Sequence, residues 1–353
     1  MKFIHASFKL NGKSFESIED LLMFSKKLSE EVVSFLKAWY DVNDFVIVQT
    51  SGSTGKPKSI KLKKEYMVNS AKATGAFFEL PEKTSALLCM SVNYIAGKMM
   101  LVRALTLGWH IDIKRAEANP LKNVEKKYDF CAMVPMQLAA SLKELGKIEK
   151  LIVGGGVVSN DLYKQIQNKS TKIYATYGMT ETITHIAVKK LNHFSLNKEV
   201  SYYQVLPNVN IALDKRNCLV INAPKVAKEK IVTNDVVVLK SETSFEWLGR
   251  YDNVINSGGV KLHPEKIEEK LALIIPSRFF VAGIKDEKLG EKLVLIVEKE
   301  MTEREKFMLE KEIEEANNFH KYEKPKQIFS VSKFVETETK KIQRNLTLKL
   351  LNL

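Results

Sequence analysis

The chain has 353 residues, 45% of them hydrophobic, which is enough for a sizeable core and for two or three folding units. It carries a net charge of +13, yet no run approaches the roughly 18–20 apolar residues that a bilayer crossing needs. The opening stretch MKFIHASFKLNGKSF lacks the basic-then-apolar layout of a secretory leader, so a cytoplasmic protein without membrane insertion is expected.

Residues 252–353 hold 19 basic and 18 acidic residues, leaving 36 basic and 24 acidic residues upstream. The basic excess therefore lies in the first two-thirds. No helix-turn-helix, zinc-finger or basic-aromatic RNA pattern accompanies it, so nucleic acid is not an expected partner. Anionic small molecules and solvated lysines account for it. Cys89, Cys131 and Cys218 are too widely spaced for a disulfide framework or a zinc cluster, and read as buried, reduced thiols.

In chain order, DFVIVQ (44–49) reads as a buried strand, followed by the loop TSGSTGKPKS. IKLKKEYMVNSAKATGAFF predicts a short strand and a helix, SALLCMS a strand, and GKMMLVRALTLG a helix. FCAMVP, KLIVGGG and KIYATYG repeat one pattern, a short apolar strand ending in glycine, proline or a turn. Alternation of strands with helices argues an α/β fold with its loops gathered at strand ends. From 208 onward the texture is β: NVNIALDKRNCLVINAP predicts a hairpin, and KIVTNDVVVLKS and SFEWLGRYDNVI continue it. The last third predicts a small α+β unit: a helix in PEKIEEKLALI, strands in RFFVAGIKD and EKLVLIVEKE, and a charged helix in TEREKFMLEKEIEEANNFH. GRYDN (249–253) is the candidate boundary, giving units 1–251 and 252–353.

The sharpest local feature is Thr50-Ser51-Gly52-Ser53-Thr54-Gly55-Lys56-Pro57-Lys58, leaving a predicted strand. Glycines let backbone N–H groups approach an anion, hydroxyls donate to phosphate oxygens, and a lysine adds charge. Taken alone, such a stretch is as readily an exposed turn. It is not a Walker loop, because only two residues separate Gly52 from Gly55 and Pro57 follows Lys56.

This segment resembles the phosphate-loop signature T-S/G-G-S/T-T/S-G-x-P-K of the adenylate-forming superfamily, which includes acyl- and aryl-CoA synthetases and peptide-synthetase adenylation domains. Further motifs follow in that superfamily's order. Tyr177-Gly178-Met179-Thr180-Glu181 resembles Y-G-x-T-E. The resemblance implies that Tyr177 lines the adenine with Gly178 and Met179 beside it, that Thr180 meets the α-phosphate, and that Glu181 ligates Mg²⁺. Gly154-Gly155-Gly156-Val157 resembles the adenine loop G-G-A-P. Thr233-Asn234-Asp235 resembles T-G-D, whose aspartate binds the ribose hydroxyls, with Asn234 replacing the usual glycine. Residues 249–268, GRYDNVINSGGVKLHPEKIE, match the longest signature. They imply that Arg250 reaches the ribose or phosphates, that Asp252 is a hinge, and that Gly258 and Gly259 line the tunnel for pantetheine. Asp286 and Leu289-Gly290-Glu291 match a minor motif, and Thr337 to Arg344 resembles T-x-x-G-K-I-x-R. Lys341 then falls on the catalytic lysine, with Lys340 at the usual glycine.

The resemblance spans about residues 44 to 346. It implies a large N-terminal α/β domain with mixed sheets and a β-rich subdomain, plus a small mobile C-terminal α+β domain. It also implies a carboxylic-acid ligase that uses ATP, Mg²⁺ and coenzyme A through an acyl-adenylate. The short region before the phosphate loop resembles the compact o-succinylbenzoate–CoA ligases of menaquinone biosynthesis. In the substrate segment Ser91–Met100, Tyr94 stands where the superfamily has a histidine, and Lys98 and Arg103 are candidates to meet a second, unactivated carboxylate. Another aryl- or acyl-CoA ligase, an enzyme loading a carrier protein, and a non-enzymatic nucleotide binder are the alternatives. No carrier domain with its phosphopantetheine serine follows in this sequence, so a built-in carrier partner is not expected, and Glu181 and Lys341 are both retained.

Overall fold

The computed structural model describes residues 3–49, 59–193, 201–337 and 342–353. Thr50 to Lys58 and Lys341 lie outside the described residues.

The first elements are a short strand β1 (Lys9–Leu10) and two helices, α1 (Ile18–Ser25) and α2 (Glu30–Tyr40). Ser17 and Ser29 cap the helices, each side-chain oxygen accepting from a backbone N–H of the first turn. Strands β2 (Phe45–Gln49) and β3 (Ser59–Lys63) pair antiparallel as a separate two-stranded sheet. The apolar run over 44–49 predicts a buried strand at β2. Instead Val46 and Val48 enter the core while Ile47 is 57% exposed, because only one face of this ribbon is covered. Helix α3 (Lys64–Phe77) follows, then β4 (Ser85–Leu88), α4 (Ile95–Leu107), β5 (His110–Ile113), β6 (Tyr128–Met133), α5 (Pro135–Ala140), β7 (Ile148–Val153), α6 (Asn160–Ile166) and β8 (Lys172–Gly178). Antiparallel strands come next: β9 (His185–Lys190), β10 (Tyr203–Val205), β11 (Asn210–Leu213), β12 (Cys218–Asn222), β13 (Ile231–Ser241) and β14 (Ser244–Arg250).

All of these strands except β2 and β3 join one 12-stranded sheet, in the order β1-β5-β4-β6-β7-β8-β9-β10-β14-β13-β12-β11. Pairing is parallel from β1 to β8 and antiparallel from β8 onward. Within the parallel part, residues 86–88 of β4, 130–133 of β6 and 151–153 of β7 are continuous buried apolar runs because both faces are covered there. Ala86, Leu88, Phe130 and Ile152 point into one core, and Leu87, Cys131, Met133 and Leu151 into the other. The three cysteines are free and buried.

After a 3₁₀ turn at Tyr251–Asn253 comes a second sheet of β15 (Ile255–Ser257), β16 (Val260–Leu262), β17 (Phe279–Asp286), β18 (Gly290–Glu298) and β19 (Ile328–Val331). Helices α7 (Pro264–Leu271) and α8 (Glu303–Glu315) supply Ile267, Leu271 and Ile313 to one face, while Phe334 and helix α9 (Arg344–Leu350) cover the other. The observed class is mixed α/β, with a large and a small sheet.

Candidate active site

Where the large sheet changes from parallel to antiparallel, between β8 and β9, the chain turns through Gly178-Met179-Thr180-Glu181. This turn is built tightly. A Cβ at Gly178 would lie 2.2 Å from the Thr184 carbonyl oxygen and 2.5 Å from the His185 Cα, so only glycine fits. A short 3₁₀ turn, Thr180–Thr182, follows. The Thr182 hydroxyl donates to the Met179 carbonyl and accepts from the Met179 N–H. Ile183 is held at φ +68°, ψ −63°, a strained conformation for a β-branched residue. Its buried side chain fixes that backbone in the core.

Tyr177, at the end of β8, donates its hydroxyl to Asp235 Oδ2 at 2.7 Å. Burial, with the neighbouring carboxylate, raises its phenol pKa well above the ordinary value, so at neutral pH the hydroxyl is a donor. Its ring packs edge-on against Tyr203 and Phe245, which stack on each other. Asp235 on β13 is buried, accepts from the Trp247 indole at 3.1 Å, and lies 3.8 Å from the Arg250 guanidinium. Thr233 props it from behind, accepting from the Asp235 N–H. Arg250 also donates to Asp252 at 3.2 Å. Tyr177, Asp235, Arg250 and Asp252 thus form one connected group.

Glu181 is exposed, and among the described residues no hydrogen bond or ion pair engages it. No set of three metal-binding side chains forms a cage among the described residues. A single free carboxylate suits Mg²⁺, which keeps waters and takes most of its ligands from phosphates. Gly154 to Val157 leave the C-terminal end of β7, with Gly155 at φ +78° and Val157 exposed. These loops share the end of the sheet where ligands of open α/β folds bind. Gly258 and Gly259 form the β15–β16 turn, 258 donating its N–H to the Leu289 carbonyl. Asp286 in turn accepts from the Lys288 and Leu289 N–H groups.

The substrate candidates differ in what surrounds them. Tyr94, just before α4, is 58% exposed. Lys98 donates to the Val92 and Asn93 carbonyls at 2.7 and 2.8 Å, tying down the loop before its own helix. Arg103 is 2% exposed. Its contacts are the Thr74 and Thr184 hydroxyls and the Met100 sulfur at 3.4–3.6 Å. No carboxylate pairs with it among the described residues. Burial pushes its pKa down to about 10, which leaves it charged at neutral pH. His185 beside it is kept neutral by burial and by that cation. Ser70 bonds Thr184 at 3.0 Å, completing a polar cluster of Ser70, Thr74, Arg103, Thr184 and His185. Ser70 and His185 also line a cavity of about 230 Å³, whose other walls include Ala73, Leu206 and Val209. Of this cluster the sequence offered only Arg103 as a candidate; Trp247 and the partners Ser70, Thr74, Thr184 and His185 were not read from it, the available signal for His185 being its place at the head of the apolar run HIAV.

A model of the family described as AMP-binding enzyme matches residues 18–222, more than half of the chain. The chain belongs to the AMP-binding enzyme family. Among relatives of this AMP-binding enzyme, the acyl-CoA synthetase (AMP-forming)/AMP-acid ligase II-like protein from Dyadobacter fermentans DSM 18053 is 37% identical, with a TM-score of 0.61 and coverage of 91% of this chain and 93% of that one. The 2-succinylbenzoate–CoA ligase of Geobacillus sp. (strain WCH70) is 25% identical over 90% of this chain and 71% of its own length. The O-succinylbenzoate coenzyme A synthetase from Bacillus subtilis, solved with ATP and magnesium ion, shares the fold at a TM-score of 0.71 and 22% identity, over 86% of this chain and 69% of that one. Among the described residues no helix is long and apolar enough to cross a membrane.

Proposed function

We propose that this AMP-binding enzyme is an acid–CoA ligase that activates its substrate as an acyl-adenylate, and that the acid is o-succinylbenzoate, giving o-succinylbenzoyl-CoA for menaquinone biosynthesis. The observation that carries the choice of acid is Arg103, a buried guanidinium with no carboxylate partner among the described residues. An unpaired buried charge costs several kcal/mol, on the order of what a paired ligand anion would return. An acid with two carboxylates supplies that anion while its other carboxylate is activated. Lys98 has its ammonium turned to carbonyls, which leaves Arg103 as the better placed of the two. The relatives named as 2-succinylbenzoate–CoA ligases support the same reading.

In this reading Asp235 accepts from the ribose hydroxyls, with Tyr177 and Trp247 fixing the carboxylate. Tyr177 gives the adenine an aromatic wall, and the Gly155-Gly156-Val157 backbone borders it. Glu181 is the residue that would hold Mg²⁺, whose charge would offset that of the phosphates. The sequence motifs assign contact with the phosphates to Thr180 and, outside the described residues, to the segment Thr50 to Lys58 and to Lys341, whose donors would meet charge as it develops. Residues 1–251 and 252–353 act as two domains joined at Asp252. The smaller one turns so that Gly258 and Gly259 admit the coenzyme A thiol. A cytoplasmic location belongs to this reading, supported by the three free, buried thiols.

One assay tests it: ATP, Mg²⁺, coenzyme A and o-succinylbenzoate, with AMP formation followed. Activity with other acids and none with this one removes the substrate. Absence of ATP–pyrophosphate exchange with every acid in a panel removes the ligase reading altogether.

A further inference from the structure

Asn234 lies on β13 between Thr233 and Asp235, and its side chain is fully engaged. Its Oδ1 accepts from Arg216 NH1 at 2.8 Å, while its Nδ2 donates to both oxygens of Asp252 at 3.2 and 3.4 Å. Arg216 is itself fixed to the large sheet. It donates to Asp214 at 2.8 Å and to the Thr233 carbonyl at 3.1 Å, and its guanidinium sits 5.1 Å from the Tyr251 ring. On its other side Asp252 accepts from Arg250 at 3.2 Å. Asp252 belongs to the short 3₁₀ turn, Tyr251–Asn253, where the chain passes from the large sheet to the small one.

We infer that Asn234 is a positioning residue that clamps Asp252, and with it the passage between the two sheets, in the orientation seen here. The chemistry of the amide explains the choice of residue. A single planar group must accept from a cation on one side and donate to an anion on the other. Asparagine does both. Glycine does neither, and aspartate would keep Arg216 but repel Asp252. The same orientation is held by Lys266 of α7, which pairs with Glu246 of β14 at 3.2 Å. It leaves the Gly258–Gly259 turn exposed: a Cβ added at Gly259 would meet nothing within 4 Å, and one at Gly258 only Leu289. Any rotation that seats this turn against the nucleotide site must first release Asp252 from Asn234. The inference rests on the rotating two-domain reading given above, and assigns this chain's unusual asparagine a place in it.

Because Asp252 and Asn234 are solvent-accessible, the clamp is worth about a fivefold population ratio, the scale of one exposed hydrogen bond to a charged group. The test uses the full chain with reporter cysteines at the exposed positions Asn168 and Glu310. The three native thiols are buried, so labelling is confined to the new ones. Spin-label distances between the two are measured without ligand, and with a non-hydrolysable acyl-adenylate analogue plus coenzyme A. Asn234→Gly is expected to raise the minor distance population about fivefold without ligand. It should also raise the rate of thioester formation from preformed adenylate, relative to ATP–pyrophosphate exchange, by a similar factor. Asn234→Asp should act in the same direction and more strongly, and Arg216→Ala less strongly. Two populations in the parent with no change in Asn234→Gly would overturn the clamp alone. A single distance under every condition would overturn the rotation, and the clamp with it.

Discussion

Arg344 donates to Glu268 at 2.9 Å, joining two motif residues 76 positions apart. The second Glu268 oxygen accepts from the Val281 N–H, and Arg344 also reaches the Val281 carbonyl. The pair pins the start of α9 to α7 and β17, and so anchors the segment three residues after Lys341. Burial raises the Glu268 pKa to about 7 from 4.5, with Arg344 opposing the rise. The native state therefore holds this proton more tightly than the unfolded chain does. The resulting stability is full below about pH 4.5 and is lost as pH rises through about 7. Glu268→Gln should flatten that part of the stability profile. Arg344→Met should move the window to higher pH, because the cation that favours the ionised carboxylate is gone. Urea midpoints at pH 5, 6, 7 and 8 measure both, and parallel curves for all three proteins would refute the assignment.

Tyr177 is the donor that fixes one oxygen of Asp235. Tyr177→Phe keeps the ring contacts with Tyr203 and Phe245 and removes only the hydroxyl. A hydrogen bond to a buried carboxylate is worth about 1.5–3 kcal/mol, so the Asp235 carboxylate should swing and the KM for ATP should rise roughly tenfold. The KM for the acid should stay within about twofold, since the binding loss is confined to the nucleotide. Steady-state kinetics varying each substrate in turn decide this, and an equal rise in both KM values would argue against a ribose-side role.

Much of this arrangement was legible from residue patterns, and the gaps have physical causes. Strands β4, β6, β7 and β8 were legible because each carries a short apolar run, whereas β5, where His110 and Asp112 alternate with Ile111 and Ile113, carries none and could not be read. The Tyr177 and Asp235 motifs could be read as neighbours of one ligand, yet nothing in either string showed that the two side chains bond each other. Trp247 looked like any core residue, since its indole donor matters only once β14 lies beside β13. Ile47 alternates outward in a ribbon with one covered face, which a short run of β-branched residues cannot reveal. Arg103 sits in a helix whose other positions are almost all apolar. The pattern marks such a residue as unusual, but only the fold shows that no acid among the described residues comes to meet it.

Gly178 is required by a close approach between backbones. Gly178→Ala would place its Cβ 2.2 Å from the Thr184 carbonyl oxygen, and neither that oxygen nor the His185 Cα is the end of a flexible side chain. The turn must open, which costs about 1–3 kcal/mol by the scale of overpacking. It would carry Thr180 and Glu181 with it. The variant should fold with a lowered midpoint and lose ATP–pyrophosphate exchange by more than about tenfold. Retained exchange at parental Mg²⁺ dependence would show that the turn is not near the phosphates.

Arg103→Met separates a structural arginine from one that waits for a ligand. Methionine is close in volume and apolar, and Met100 already contacts the site. Removing a buried cation that no described carboxylate pairs with should stabilise the ligand-free protein by about 1 kcal/mol or more, seen as a higher Tm. The same change should raise the KM for o-succinylbenzoate roughly a hundredfold, since a buried ion pair that loses one partner costs several kcal/mol. A monocarboxylic aryl acid has no second anion to lose, so its kinetics should move by no more than about twofold. Lys98→Ala is the contrasting variant. It loosens the loop that Lys98 ties to the Val92 and Asn93 carbonyls, and should weaken both acids alike. Higher stability together with selective loss of the dicarboxylate is an outcome that packing alone does not produce. A lower Tm with equal losses for the two acids would assign Arg103 to the scaffold and remove it from the acyl site.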